Sequence, residues 1–500
     1  MLALSLTLAA LLWQAEAPGG GDEPRAARPW ITTPDRSRLL EPGRPLPFHA
    51  TGDDKAPAPT LHVDPSRTFQ TMDGFGASLT DSSASVLYGM SGARRDEVMR
   101  SLFAPGERGG IGLSLLRQPV GSSEFVDGAH YTYNDLPPGE TDLAQRHFGI
   151  AHDEPRILPL LRRARELNPR LKVIAAPWSP PAWMKEGGSL EGGSLKDDPA
   201  YFASYARYLV KFVRAYARAG VPVHALTVQN EPQNRTPDGY PGTAMPVADQ
   251  NRVIAELGPM LERAGLGHVR ILSFDHNWSL HPDDRRDAER AGADPEPDYP
   301  FDALRGPAAR WIDGTAFHGY HGSAERQSAL HRAFPGKGIW FTEGSGWHRR
   351  GEAYAEYFAN TLRRHAQHLQ IGATRNWARS VANWNLALDS GGGPVNGGCG
   401  NDPAGVCTGV LAVDGDRVTR NAEFYTLGHM SRFVAPGAVR IGTENAGALH
   451  NTAFRNPDGT VALVVTNTSD AVREFSVSWR GRAFTARLTG GALATYTWKP

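Results

Sequence analysis

The sequence predicts a (β/α)8 barrel with an appended antiparallel β-sandwich, a fold of the α/β class. Three observations predict it. Short apolar runs alternate with amphipathic helical patterns over residues 69–433. Two of those runs end in a glutamate followed by a turn residue, Glu231 before Pro232 and Glu343 before Gly344. After about Val434 the rhythm changes to short alternating strands split by Asn-Pro-Asp-Gly, Asn-Thr-Ser-Asp, Arg-Gly-Arg and Gly-Gly turns.

Candidate barrel strands lie at 69–78, 111–119, 172–178, 224–230, 269–276, 312–320, 338–343 and 380–386. Several are continuous apolar runs, as parallel strands buried on both faces require. The helical pattern is clearest at 199–219, where Tyr201, Tyr205, Tyr208, Leu209, Phe212 and Tyr216 recur on one face. This stripe reads as core. Residues 156–167, 247–264 and 352–369 follow the same pattern, which is weak between the first strands and around 300–304. Sandwich strands are expected at 448–454, 461–466, 473–479, 483–488 and 492–498, with 61–64 supplying one more from ahead of the barrel. The domain boundaries that follow are a leader at 1–17, a linker at 18–28, an N-terminal contribution to the sandwich at 29–68, the barrel at 69–433 and the sandwich at 434–500.

The leader rests on Met1 to Trp13, almost wholly apolar, followed by Ala15-Glu16-Ala17, an A-x-A cleavage pattern. No Lys or Arg precedes the run, and it is too short to span a bilayer. Export to the extracellular or periplasmic space is the expectation. Lys+Arg and Asp+Glu both number 53, so no basic field exists to attract nucleic acid or an anionic membrane. No stable membrane insertion and a monomeric state are expected. Cys399 and Cys407 lie in one Gly/Pro-rich loop, and in an exported chain such a pair is expected to form a local disulfide. A metal site there lacks a third cysteine or a nearby histidine.

A carboxylate at the carboxyl end of a barrel strand stands on the face where such folds do their chemistry. Two facing one sugar can split a glycosidic bond, one as acid and base, the other as nucleophile. Taken singly, each glutamate also reads as a solvated loop residue or helix cap. The pair, in a chain of 12 Trp and 14 Tyr suited to sugar faces, points to a retaining glycosidase.

The chain resembles glycoside hydrolase family 30, which contains glucosylceramidases and endo-β-1,6-glucanases. The resemblance is carried by Gly74-Phe75-Gly76-Ala77-Ser78-Leu79-Thr80-Asp81, Leu116-Arg117-Gln118-Pro119 and Ala176-Pro177-Trp178-Ser179-Pro180-Pro181-Ala182-Trp183-Met184-Lys185. It continues through Asn230-Glu231-Pro232, His318-Gly319-Tyr320, Thr342-Glu343 and Trp384-Asn385-Leu386-Ala387-Leu388-Asp389. The resemblance implies Glu231 as acid/base, Glu343 as nucleophile and Asn230 as the residue that binds the sugar 2-hydroxyl. It implies sugar contacts from Trp178 and Trp384 and a place beside the nucleophile for Tyr320; of the two tryptophans, Trp384 is expected to be the more exposed. Arg117 resembles a strand-end arginine that would hold Glu343 ionised; an ordinary structural ion pair is the alternative.

His276 is a candidate substrate-binding residue; it and His318 end strands, where scaffold roles are common. His318-x-x-His321 hints at a metal, but no fitting carboxylate cluster accompanies it in sequence, and neither metal nor cofactor is expected. The chain departs from the family at Glu124, where relatives carry an Asp that binds glucose hydroxyls. The segment 384–389, the Gly-rich loop after it and the Cys399–Cys407 hairpin look more like the β-1,6-glucanases. The expected substrate is a β-linked glucoside, carbohydrate or glycolipid, of glucosylceramide or β-1,6-glucan type. A xylan-directed enzyme and a noncatalytic carbohydrate-binding protein are the alternatives.

Overall fold

Eight strands close in chain order into a parallel barrel: β1 (Gly74–Ser78), β2 (Leu115–Val120), β3 (Lys172–Pro177), β4 (Ala225–Thr227), β5 (Arg270–Asn277), β6 (Gly314–His318), β7 (Gly338–Glu343) and β8 (Ala378–Asn385), with β8 returning to pair with β1. The computed structural model describes residues 25–50 and 59–500. The expected leader and most of the expected linker lie outside the described residues.

The barrel is packed, not hollow. Leu115, Ile174, Leu272 and Trp340 fill one interior layer with Ala225, Ala316 and Ala382. At the amino-terminal end, Asp73 accepts from Lys172 Nζ at 2.5 Å, Trp340 Nε1 at 2.9 Å and Arg379 Nε at 3.2 Å. Gly76 has no room for a side chain, because a Cβ there would lie 1.7 Å from the Leu115 carbonyl oxygen. The Gly-Phe-Gly motif thus sets how closely β1 and β2 approach.

The helix Pro199–Arg218 starts where Asp198 accepts from the Ala200 N–H and Pro199 occupies the first turn. It buries Phe202, Tyr205, Tyr208, Leu209, Phe212 and Tyr216, so the predicted aromatic stripe is core. The 352–369 pattern appears as Tyr354–Arg364 running into a π-helical stretch, His365–Ala373.

Several boundaries differ from expectation. Residues 69–78 are not one strand: Asp64–Thr71 pairs with Val439–Gly442 in the sandwich, and the barrel begins at Gly74. Residues 26–28, expected in a linker, open the strand Ala26–Thr32, whose long ladder with Leu493–Trp498 outweighs its Arg/Pro composition. In 224–230 only Ala225–Thr227 pairs regularly, since the chain turns away toward Glu231. Helices Asp81–Tyr88 and Gly92–Phe103 fill the gap between the first two barrel strands.

The sandwich draws on both chain ends. One sheet runs in the order Glu41–Pro42, Ala26–Thr32, Leu493–Trp498, Val461–Asn467, Leu449–Arg455, Val439–Gly442, Asp64–Thr71; the second contains His49–Ala50, Arg482–Leu488, Arg473–Trp479 and Thr60–His62. In Val461–Asn467, Val461, Leu463 and Val465 face the sandwich core while Ala462 and Val464 join the barrel's cluster. That alternation welds the two units along one strand.

Candidate active site

The backbone is irregular where the strands end. Register slips between Phe274 and His276 on β5, between Phe317 and His318 on β6, and between Asn383 and Asn385 on β8. Glu231, Phe274 and Asp275 have φ of 47°, 73° and 67°, a left-handed region that side chains occupy at a cost of about 1–3 kcal/mol each. A bulge re-aims the side chain it carries. Here it turns Asp275 into the barrel and His276 toward Glu231.

Asp275 is the hub. Its Oδ1 accepts from His318 Nε2 at 3.0 Å and Thr342 Oγ1 at 2.6 Å; its Oδ2 accepts from Arg117 Nη2 at 2.9 Å and Thr227 Oγ1 at 2.8 Å. Burial opposes its ionisation, but the Arg117 charge and the His318 bond hold the carboxyl well below its usual range. Arg117, wholly buried, extends the network: Nη1 donates to Glu343 Oε2 at 2.5 Å and Nη2 to Asn230 Oδ1 at 2.6 Å. Tyr320 donates to the other oxygen of Glu343 at 2.7 Å.

Glu231 faces two imidazoles. His318 Nδ1 lies 3.1 Å and His276 Nδ1 3.6 Å from its Oε1. Their opposite ring nitrogens are fixed on carboxylates, His318 on Asp275 and His276 Nε2 on Asp284 at 3.0 Å. A carboxylate only accepts, so both Nε2 atoms carry hydrogen and both Nδ1 atoms point at Glu231. Burial would lower the two imidazoles. The Asp284 bond and the nearby Glu231 charge instead raise His276 to about 10, while the Glu343 charge and the Asp275 and Glu231 bonds raise His318 to about 9. Glu231 is correspondingly held well below the usual range, against its own burial. His318 Nδ1 is also 3.8 Å from Glu343 Oε1. The 3.1 and 3.8 Å legs therefore bound the separation of the two carboxylate oxygens at about 7 Å.

Above these groups opens a cavity of about 380 Å³. Glu124, Glu231, Glu343, Tyr320, Trp384 and Tyr240 are among its walls. Glu124 is buried, accepts from Trp384 Nε1 at 3.1 Å through Oε1, and has no partner for Oε2. Burial and the nearby Glu343 charge push it up to about 8, so below that pH it carries a proton it can donate. Trp347, Arg364, Ser345 and the Cys399–Cys407 disulfide also line it. The segment just ahead of the disulfide crosses the cavity edge: Asn396 N–H donates to the Glu124 carbonyl at 2.8 Å and Gly398 N–H to that of Asp238 at 2.7 Å.

Of the residues expected to bind substrate, Glu124, Tyr320 and Trp384 line the cavity with the two glutamates, whereas Arg117, Trp178, Asn230 and His276 do not. Trp178 stacks behind Trp384 with ring centroids 5.1 Å apart and planes 15° apart, and its ring carries the Arg117 guanidinium at 4.8 Å. Both indoles are 2 % exposed, so Trp384 is not the more exposed of the two. Sequence reasoning missed Asp275, Tyr240, Trp347 and Arg364. The signal for Asp275 was a charged residue inside the apolar run of β5. Glu231, His276 and His318 offer ligand atoms within 4.8 Å of one another, a set able to hold a metal ion; His321 is not part of it. Among the described residues no helix is long and apolar enough to cross a membrane.

Comparison with known proteins identifies the family of both domains. Residues 72–434 match the glycosyl hydrolase family 30 TIM-barrel domain and residues 437–496 the family's beta sandwich domain. An endo-1,6-beta-D-glucanase of Neurospora crassa is 29 % identical over 422 residues, covering 83 % of this chain and 80 % of the relative. The lysosomal acid glucosylceramidase of Mus musculus is 29 % identical over 469 residues, covering 88 % and 83 %. The solved structure of the endo-beta1,6-glucanase BT3312 superposes with a TM-score of 0.81 at 30 % identity, covering 95 % of this chain and 99 % of that one. The chain belongs to glycosyl hydrolase family 30 and is a glycoside hydrolase.

Proposed function

We propose that the chain is an exported, retaining β-glycosidase that cleaves β-linked glucosides by double displacement, with β-1,6-glucan as its leading substrate. The observation that carries this reading is the single imidazole nitrogen of His318 standing 3.1 Å from Glu231 and 3.8 Å from Glu343. Two carboxylates this close share one sugar ring, and their bounded separation favours the retaining spacing of about 5–5.5 Å over the wider inverting one.

In the first step Glu343 attacks the anomeric carbon while the glycosidic C–O bond breaks. Its Oε1, next to Tyr320 at the cavity, is the attacking oxygen, and Oε2 stays on Arg117. The leaving oxygen takes a proton from Glu231. That proton is held between Glu231 Oε1 and His318 Nδ1, whose Nε2–H is anchored on Asp275. Esterification removes the Glu343 charge that raises His318, so the proton becomes easier to surrender as it is needed. In the second step Glu231 takes a proton from water, the water oxygen attacks the anomeric carbon, and the bond to Glu343 breaks.

Export is supported by the apolar leader with its A-x-A pattern and by the disulfide in a Gly-rich loop. For the substrate, the endo-1,6-beta-D-glucanase similarity is accompanied by a superposable solved glucanase. The mouse glucosylceramidase similarity keeps a sphingolipid glucoside as the second reading. Product analysis on an aryl β-glucoside, β-1,6-glucan, glucosylceramide and xylan tests the proposal. Cleavage of the aryl glucoside and the glucan with no action on xylan is expected. A folded protein inert on all four would return the reading to a binding protein.

A further inference from the structure

We propose that Glu231, His276 and His318 form a binding site for a divalent transition-metal ion of the zinc class, and that its occupancy silences the enzyme. The ion is an inhibitor, not a resident cofactor. Its effect on turnover rests on the acid/base reading of Glu231.

Four observations carry the site. His276 is 2 % exposed and its Nδ1 has no hydrogen-bond partner, yet it points at Glu231. The 3.1 and 3.6 Å distances from Glu231 Oε1 to the two Nδ1 atoms bracket the edge of about 3.3 Å that a tetrahedron with bonds of about 2.0–2.1 Å requires. Each imidazole has its other nitrogen on a carboxylate, Asp275 or Asp284. That carboxylate–histidine pairing fixes tautomer and ring orientation in metal sites and strengthens the ligand. Finally, Glu231 lines the cavity, which provides an entry path and room for a water as fourth ligand.

Two imidazoles, each releasing its Nδ1 proton to solvent as the ion binds, and one carboxylate suit zinc, cobalt or copper better than the all-oxygen shells of calcium or magnesium. An ion bound there takes the Glu231 oxygen that must deliver the proton, so glycosyl transfer stops while the fold and the sugar-facing wall remain. The alternative place for a metal is the partly exposed pair His281 and His321, whose rings lie 5.0 Å apart. A test must separate the two.

Metal-stripped protein is equilibrated with zinc chloride to count bound ions, and with cobalt chloride to record the intense visible bands of tetrahedral cobalt. One ion per chain and a tetrahedral spectrum are expected of the native protein, with turnover lost and then restored by a chelator. His276→Gln should lose the ion. Asp284→Asn should weaken it by about 10–100-fold. Glu343→Gln, although inactive, and His321→Ala should keep it. No tetrahedral spectrum from the native protein, binding that survives His276→Gln, or binding lost in His321→Ala would overturn the site. An ion bound at the triad with full turnover would overturn the role of Glu231 and the silencing, while leaving the site itself supported.

Discussion

Arg117 and Asp275 form a fully buried ion pair: Nη2 lies 2.9 Å from Oδ2 and both side chains have zero exposure. Neither charge ends there. Arg117 reaches Glu343 and Asn230, and Asp275 reaches His318, so one buried pair orients the supports of both candidate catalytic carboxylates. Asp275→Asn places an amide N–H against groups that all donate. We expect a loss of about 3–5 kcal/mol in stability, and a kcat reduced well beyond the fraction lost to unfolding. Calorimetry together with active-site titration checks it; full kcat per folded molecule would reduce Asp275 to scaffold.

Trp178 and Trp384 are stacked and equally buried, but only Trp384 lines the cavity. Trp384→Phe removes the donor to Glu124 and should lower kcat/KM at least ~10-fold, about 1.4 kcal/mol. Trp178→Phe leaves a partial cavity behind the wall and should cost about 1–3 kcal/mol of stability while changing kcat/KM little. Steady-state kinetics and thermal melts on both variants decide it, and the reverse pattern would exchange the two roles.

How much of this was legible in the sequence follows from the physics of each signal. Glu231 and Glu343 were visible because an apolar run followed by Pro or Gly marks a strand that stops abruptly. Asp275 was not, because the bulge at Phe274–His276 breaks the two-residue alternation from which facing is read. The join at residues 69–78 failed for a related reason: composition gives no sign that the chain changes sheets at Met72–Asp73. Helix Asp81–Tyr88 hid behind serines that favour turns in isolation. Here Thr80 caps it by accepting from the Ser83 N–H, and Ser83 donates to the Ala387 carbonyl. The five C-terminal sandwich strands were legible because turn residues punctuate them, whereas Ala26–Thr32, Asp64–Thr71 and Val439–Gly442 were not.

The disulfide closes a loop of sequence separation 8, so its chain-entropy contribution is at most ~2.5 kcal/mol. The segment it anchors immediately ahead of Cys399, residues 396–398, ties Glu124 to Asp238 across the cavity edge. Cys399→Ser with Cys407→Ser should therefore raise KM several-fold while lowering the melting temperature by only a few degrees, about 1 °C per kcal/mol in a chain of 500 residues. Michaelis–Menten analysis of the double variant is the check, and an unchanged KM would detach the loop from substrate binding.

His429 couples the barrel to the sandwich. One ring nitrogen lies 2.9 Å from Thr32 Oγ1, the other 2.9 Å from Thr495 Oγ1. Thr495 spends its hydrogen on the His429 carbonyl, so Nδ1 donates to it and Nε2 accepts from Thr32. The ring is a neutral imidazole, and burial pushes it down to about 3. The unfolded chain takes a proton near pH 6.5 that the folded one refuses, so stability falls from pH 6.5 toward 3 by about 1.4 kcal/mol per unit. In His429→Gln the slope of unfolding free energy against pH should drop by one proton over that window. Denaturant titrations at pH 7, 6, 5 and 4 measure it, and parallel slopes would contradict the neutral-imidazole account.

The division of labour between Glu231 and Glu343 is tested most directly by chemical rescue. Glu231→Ala should still form the glycosyl-enzyme from an aryl β-glucoside with a good leaving group, which needs little protonation, and then stall. Added azide should restore turnover and yield the β-glycosyl azide, because it attacks an intermediate held on the opposite face by Glu343. An α-glycosyl azide from Glu231→Ala, or rescue confined to Glu343→Ala, would contradict the assignment.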